Sequence, residues 1–341
     1  GLLIPDVGVK AGSVSYDSGG DSYLMPALGW ARRSGRLSYG LGLFAQGGMG
    51  TEYDSVADLY TPGGGAAAHS MRNTSGDPAA PSPADIVTNF GGQIDKDAQF
   101  QSAWQELGAL NERSELSSGR LLLPINYDIN EALTIGGSLD YVWVGLDIQM
   151  LMSGGMMGEM MSRPDASMGR ISDTLVEGMQ QNFYHPVNHP DGVIYGLNYG
   201  YFDFSNDSSY TGQASSTGFG GKLGLVYRVN PRLTLGATYH SKTQIGDLNG
   251  DASVTMNTLV AASLMSPQHP NFGNAPASAT DLAAMSMTLS GNISVKDFQW
   301  PSTYALGMAL QATDRLLIAA DIRRINWADV MEKMTMVFTA D

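Results

Sequence analysis

Apolar and polar residues alternate with a period of two along several stretches of the chain, the pattern of a strand with one covered face. From residue 133 onward, Leu133, Ile135, Leu139, Tyr141 and Trp143 point one way, while Thr134, Ser138 and Asp140 point the other. The same alternation sets Leu223, Leu225 and Tyr227 against Lys222, Gly224 and Arg228. After a short turn, Leu233, Leu235, Ala237 and Tyr239 oppose Thr234, Gly236, Thr238, His240 and Lys242. Further strands are expected near 24–30, 37–45, 121–127, 285–295, 304–310 and 316–322.

The connections fall into two unequal groups. Short turns are expected at 32–35, 128–132, 229–232 and 312–315, and long connections at about 49–118, 150–194 and 247–284. Each long connection lies between two short ones, so the short turns gather at one rim and the long loops at the other. That is the arrangement of an outer-membrane barrel. The pattern therefore predicts an all-β chain, a transmembrane antiparallel β-barrel of about nine or ten visible strands, as one domain over residues 1–341. Its Leu, Ile and Tyr face would meet lipid, and its Gly, Ser, Thr and charged face would line a lumen. Trp30, Tyr39, Tyr127 and Tyr227 lie near the short turns, where an interfacial aromatic girdle sits. A soluble β-sandwich would satisfy the same alternation, but its strands run to about 5 or 6 residues, shorter than these.

Composition narrows the class further. Charged residues make up 15% of the 341, against about 25% in a soluble globular protein. No apolar run reaches the roughly 18–20 residues of a spanning helix. A net charge of −14 repels phosphates and argues against nucleic acid. The chain has no Cys, which excludes thiolate metal sites, Cys nucleophiles and disulfides together. It begins at Gly1 with no leader-like segment, so a removed leader or a longer parent chain is expected.

Two long connections carry helical spacing. Phe100, Trp104, Leu107 and Asn111 recur at intervals of three and four after Asp95, as do Leu175, Val176, Met179 and Phe183 after Ser172. Residues 150–161 read MLMSGGMMGEMM. Methionine is flexible and polarisable and adapts to variable apolar guests, so this cluster is either a small core beneath the loops or an apolar landing site on the outer rim. Leu259, Val260, Leu264, Met265 and Phe272 add apolar surface in the third loop.

Three segments, FAQGGMGTEYD at 44–54, YRVNPRLTLGATYHS at 227–241 and WPSTYALGMALQATDRLLIAADI at 300–322, together resemble the FadL family. Its members are outer-membrane transport proteins for long-chain fatty acids, and relatives admit aromatic hydrocarbons. The resemblance implies a monomeric 14-stranded barrel in the outer membrane of a Gram-negative bacterium, in contact with outer-membrane lipid and lipopolysaccharide. It also implies an N-terminal hatch with an Asn-Pro-Ala motif; neither is present here, and no terminal aromatic residue closes the chain. The chain is therefore expected to be incomplete at both ends.

On that resemblance, a hydrophobic cargo is captured by apolar extracellular loops and passes into the lumen by passive diffusion, without cofactor. The capture residues would be Met156, Met157, Met160, Met161, Phe183, Leu259, Leu264 and Phe272. A fatty-acid head group would need a cation in the lumen, where Lys222, Arg228, Lys242 and Arg323 are candidates and Lys242 is preferred for its place nearer the outer rim. The alternative function is a general diffusion porin, whose lumen would hold opposed acidic and basic rows.

Catalysis and metal binding have weak support. His240 beside Ser241 is the one base near a hydroxyl nucleophile, and residues 136–140 read GGSLD without the closing Gly of a nucleophile elbow. His185, His189 and Asp191, and Asp247, Asn249 and Asp251, have the look of metal ligands, but turn chemistry explains both segments and the closing Glu of a calcium loop is missing.

Overall fold

The computed structural model describes residues 2–3, 8–11, 14–20, 23–53, 110–153, 194–208, 211–261, 282–330 and 333–341. Leu2–Leu3 (β1), Gly8–Ala11 (β2), Val14–Asp17 (β3) and Tyr23–Leu24 (β4) form two small pairs. The remaining strands build one antiparallel sheet of 13. They are Ala27–Ser34 (β5), Leu37–Tyr53 (β6), Glu112–Asp128 (β7), Leu133–Ser153 (β8), Ile194–Phe204 (β9), Ala214–Asn230 (β10), Leu233–His240 (β11), Gln244–Ile245 (β12), Leu248–Ala261 (β13), Leu282–Lys296 (β14), Thr303–Thr313 (β15), Leu316–Ile325 (β16) and Thr335–Ala340 (β17).

The sheet has two tiers. In the lower tier, next to the short turns, β5, β6, β7, β8, β10, β11, β15 and β16 follow one another in order. In the upper tier, β8 pairs with β9, then β9 with β13, β13 with β14, and β14 with β17. Thus β9 and β10, β11 and β13, β14 and β15, and β16 and β17 are each a single pass of the wall, interrupted at mid-height. These interruptions explain why 13 strands stand where nine or ten were expected.

The short turns stand at the expected places, and side chains explain two of them. Asn130 Oδ1 accepts the backbone N–H groups of Ala132 and Leu133 at 2.9 and 2.8 Å. Asn230 Oδ1 does the same for Arg232 and Leu233, both at 2.9 Å, so one Asn-based turn is used twice. In the β5–β6 turn Gly35 has φ 60°, a conformation open to glycine at no steric cost.

The strands extend further than alternation alone indicates, because β6 continues to Tyr53, β7 begins at Glu112, and Leu248–Ala261 is strand throughout. The connections are correspondingly shorter than the expected 49–118, 150–194 and 247–284. Of the two expected helices, all but Asn111 lies outside the described residues.

In the lower tier the face carrying Leu123, Ile125, Leu139, Tyr141, Leu223 and Leu306 is uncovered; Leu223 is 66% exposed and Ile322 71%. So large an apolar surface cannot rest in water. On β8 it runs from Leu133 to Trp143, about 11 residues, the length of a membrane-spanning strand.

Candidate functional site

Beyond Trp143 the two faces of the wall exchange polarity. On β8 the residues continuing the lipid-facing row are Gly145, Asp147 and Gln149, while the opposite row becomes Val142, Val144 and Leu146, all buried. The register carries the change to neighbouring strands. Ile148 and Met150 stand opposite Phe204 and Phe202, Ile293 opposite Phe338, and Val295 opposite Leu248. Phe202, Phe204, Leu248, Ile293 and Val295 join Met256, Phe298 and Ala252 in one apolar cluster, against which Ile148, Met150, Phe338, Trp300 and Met336 pack. Phe202 meets Phe204 edge-on at 5.4 Å and Phe338 at 6.2 Å, and Phe298 meets Trp300 at 6.1 Å.

Directly below this compartment, on the same face, lies a charged group. Asp140 is two residues from Val142 on β8 and fully buried. Its Oδ2 accepts Arg120 Nη1 from β7 and Lys222 Nζ from β10, both at 3.2 Å, and its Oδ1 accepts the Ser138 hydroxyl. Lys222 Nζ also stands 5.6 Å from the centre of the Phe44 ring, within cation–π range. His240 faces Lys222 across the β10–β11 ladder. Gly220, the residue opposite Asp140, leaves room for the guanidinium, since a Cβ there would come within 3.3 Å of Arg120 Nη1. A buried carboxylate is tolerable only when paired, and here two cations share it.

The other face of the upper tier is polar and partly buried. Arg113 bonds Glu115 at 2.6 Å and lies 3.6 Å from Glu52 and 3.9 Å from Asp207. Asp147 stands opposite Glu115 in the ladder, and Asp203 opposite Gln149. These groups lie above the apolar band. Burial pushes the carboxyls of Glu115, Asp147 and Asp203 up, against the opposing pull of Arg113 on Glu115 and of backbone N–H groups on Asp147. Burial also raises the Tyr201 phenol, which donates to the Asn111 carbonyl at 2.7 Å.

The sequence-expected site residues divide sharply. Met156, Met157, Met160, Met161, Phe183, Leu264 and Phe272 lie outside the described residues, as do His185, His189 and Asp191. Leu259 is on β13, opposite Gly196 and Ala284 in the ladders. Lys242 is exposed in the interruption between β11 and β13, on a recess of about 530 Å³ with Thr243, Gln244, Gln299 and Ile245, the last of which also belongs to the apolar cluster. Lys222, among the lumen cations foreseen, is the one that meets Asp140. Ser241 is committed to the backbone, its hydroxyl accepting Gly221 N–H at 2.9 Å. Asp247 pairs with Lys296 at 2.8 Å. Arg120 was missed: its signal is a lone cation in GRLLLP, one strand from an inward-facing Asp.

An apolar outer band below, an apolar interior above and ionic contacts between them define the wall of a membrane β-barrel. The chain belongs to the outer membrane protein transport protein family (OMPP1/FadL/TodX), whose model matches residues 84–341. Among solved structures it is similar to the toluene transporter TodX of P. putida, at 25% identity and TM-score 0.63, over 98% of this chain and 61% of that one. It is also similar to the toluene transporter TbuX of Ralstonia pickettii, at 25% identity and TM-score 0.58, over 98% and 63%. The monoaromatic hydrocarbon channel CymD shares the fold at 22% identity and TM-score 0.55, over 95% and 59%. The chain thus spans about three-fifths of the length of these structures. Comparison with curated proteins gives no match. The family places the chain in the outer membrane.

Proposed function

We propose that this chain forms the wall of an outer-membrane channel for passive uptake of hydrophobic small molecules, as one β-barrel domain acting as a monomer and catalysing no reaction. The observation that supports this reading is the exchange of faces above Trp143, which sets an apolar interior directly over the Asp140 group. An apolar guest gains about 0.8 kcal/mol for each CH₂ it buries there, so affinity needs little polar chemistry. Toluene transporters are among the proteins of similar structure. Arg120 and Lys222 add a cationic excess at the foot of the compartment. That excess favours cargo with an apolar body and a carboxylate, of which a long-chain fatty acid is the simplest. The methionines at 156, 157, 160 and 161, with Phe183, Leu259, Leu264 and Phe272, are proposed as the capture surface, and Lys222 takes the head-group role first considered for Lys242.

The test is titration of the whole protein with oleate and with toluene, followed by tryptophan fluorescence, for the native chain and Lys222→Gln. Saturable binding of both, with only oleate weakened by the substitution, supports channel and head-group site together. Equal binding of both by the two proteins removes the head-group assignment. No saturation, with steady ion conductance across a planar bilayer, favours the porin.

A further inference from the structure

Ser117 and Ser118 are neighbours on β7 with opposite surroundings. Ser117, on the outer face, donates to the Gly145 carbonyl at 3.4 Å. Ser118 faces the apolar compartment, and among the described residues its hydroxyl has no hydrogen-bond partner although the residue is only 3% exposed. The adjoining positions explain why nothing answers it. Val144, opposite on β8, belongs to the apolar cluster, and Gly47, opposite on β6, has no side chain. Leu116, two residues above on the same face, packs against the cluster, and Arg120, two residues below, is turned to Asp140 at 3.2 Å. Ser118 is therefore the last side chain of the compartment before the ionic group.

Trp300 Nε1 is a second buried atom without a partner beside the same cluster. The ring is held in place, because Thr243 Oγ1 accepts the Trp300 N–H at 2.8 Å and the Thr243 N–H donates to the Trp300 carbonyl at 3.1 Å. An unanswered buried polar group is unfavourable by itself and becomes favourable when a guest completes its hydrogen bond. A serine hydroxyl both donates and accepts, so a neutral hydroxyl suits it in either direction. A plain hydrocarbon leaves Ser118 as unpaired as before, and a carboxylate is drawn one step lower, to the two cations on Asp140. The rings of Phe202, Phe204 and Phe338, which meet edge to face, favour an aromatic body.

We propose that Ser118 makes the compartment selective for neutral hydroxylated aromatic molecules, the ring lying among the apolar cluster and the phenolic hydroxyl bonded to Ser118 Oγ. This selectivity rests on the compartment being the guest site proposed above, and it names a class of cargo that the site prefers to the parent hydrocarbon.

The test is calorimetric titration of the full chain in detergent with p-cresol and with p-xylene, two rings that differ by a hydroxyl in place of a methyl. Partitioning into micelles is the same for every variant and cancels when the ratio of the two affinities is compared between proteins. Ser118→Thr and Ser118→Val have nearly the same shape and differ in the hydroxyl alone. The native chain and Ser118→Thr are expected to share one cresol-to-xylene ratio. In Ser118→Ala and Ser118→Val the ratio falls several-fold, with the loss confined to p-cresol. Heat-modifiable gel mobility identifies any variant that fails to fold, and either hydroxyl-free variant then serves for the other. A ratio that is the same in all four proteins overturns the proposal while p-xylene binding leaves the channel standing. A ratio lost in Ser118→Thr as fully as in Ser118→Val also overturns it, since the size of the side chain and not its hydroxyl then sets the preference. If the native protein binds neither ring, the selectivity and the guest site fall together.

Discussion

Asp147 Oδ1 accepts the backbone N–H of Gln213 at 2.6 Å, and the same oxygen accepts Asn206 N–H at 3.4 Å. Those two residues are the ends of the segment that leaves the wall after β9 and returns as β10. Leu146 pairs with Ala214 and Ile148 with Phe204, so β8 changes partner at Asp147 itself. Glycine permits the closeness: a Cβ on Gly212 would come within 2.0 Å of Leu146 N, and one on Gly145 within 2.4 Å of Gly212 N. One carboxylate therefore pins both ends of the excursion against the face of β8.

Asp147→Ala is expected to leave two partly buried N–H groups without their acceptor, at a cost of about 1 kcal/mol. Hydrogen exchange at the amides of Asn206 and Gln213 should accelerate, while those at Tyr141 and Val142 stay protected. Asp147→Asn keeps an acceptor oxygen and should behave nearly as the native chain. Equal acceleration in both variants would show that the charge, not the acceptor, holds the segment.

Asp140→Ala is expected to be far more damaging than its size suggests. It removes the shared partner of Arg120 and Lys222 and strands buried charge, a loss of about 3–5 kcal/mol. Denaturant unfolding of the purified protein reads this directly. Loss below about 1 kcal/mol would mean that water already screens the group.

The raised carboxyls give the upper tier a pH dependence of defined sign. Below the ordinary carboxylate range, about pH 4, folded and unfolded chains both hold these protons and nothing is lost. Between that range and the raised values, Glu115, Asp147 and Asp203 stay protonated in the fold while the unfolded chain ionises. Their contribution to stability thus falls as pH rises through this window and stays low above it. Asp147→Asn removes one such group, so the difference in unfolding free energy between variant and native chain should grow in the variant's favour from about pH 4 to pH 7. A difference independent of pH would refute the assignment.

Phe202 touches Phe204, Phe338 and the β8 row at once. Phe202→Ala should cost about 3–5 kcal/mol if the compartment is packed as a core. If hydrophobic guests enter it, added toluene should restore part of that loss in thermal unfolding of the variant and little in the native chain. No recovery at saturating toluene would place the guest elsewhere.

Much of the lower tier was legible in the sequence because lipid on one side and a polar interior on the other force strict alternation from Leu133 to Trp143 and from Leu223 to Tyr227. The Asn130 and Asn230 turns were legible for a similar reason, since each is decided within a few residues. The upper tier was not. There the outside is polar, the inside apolar, and strands such as Leu248–Ala261 begin LNGDASVTM, whose Asn, Gly and Asp look like turn residues until a partner strand covers them. The Asp140 group was half legible: Asp140 and Lys222 were placed on inward faces, but nothing local announces that Arg120, Asp140 and Lys222 share one point. That meeting comes from register across three strands.

The exchange of faces above Trp143 also fixes how deep the protein sits. Were the wall to sink, Gly145, Asp147 and the Arg113–Glu115 pair would enter hydrocarbon; were it to rise, Leu139 and Leu223 would emerge into water. Both displacements are opposed from the first residue pair, so the strand pattern alone acts as a plumb line for the molecule, independent of its loops.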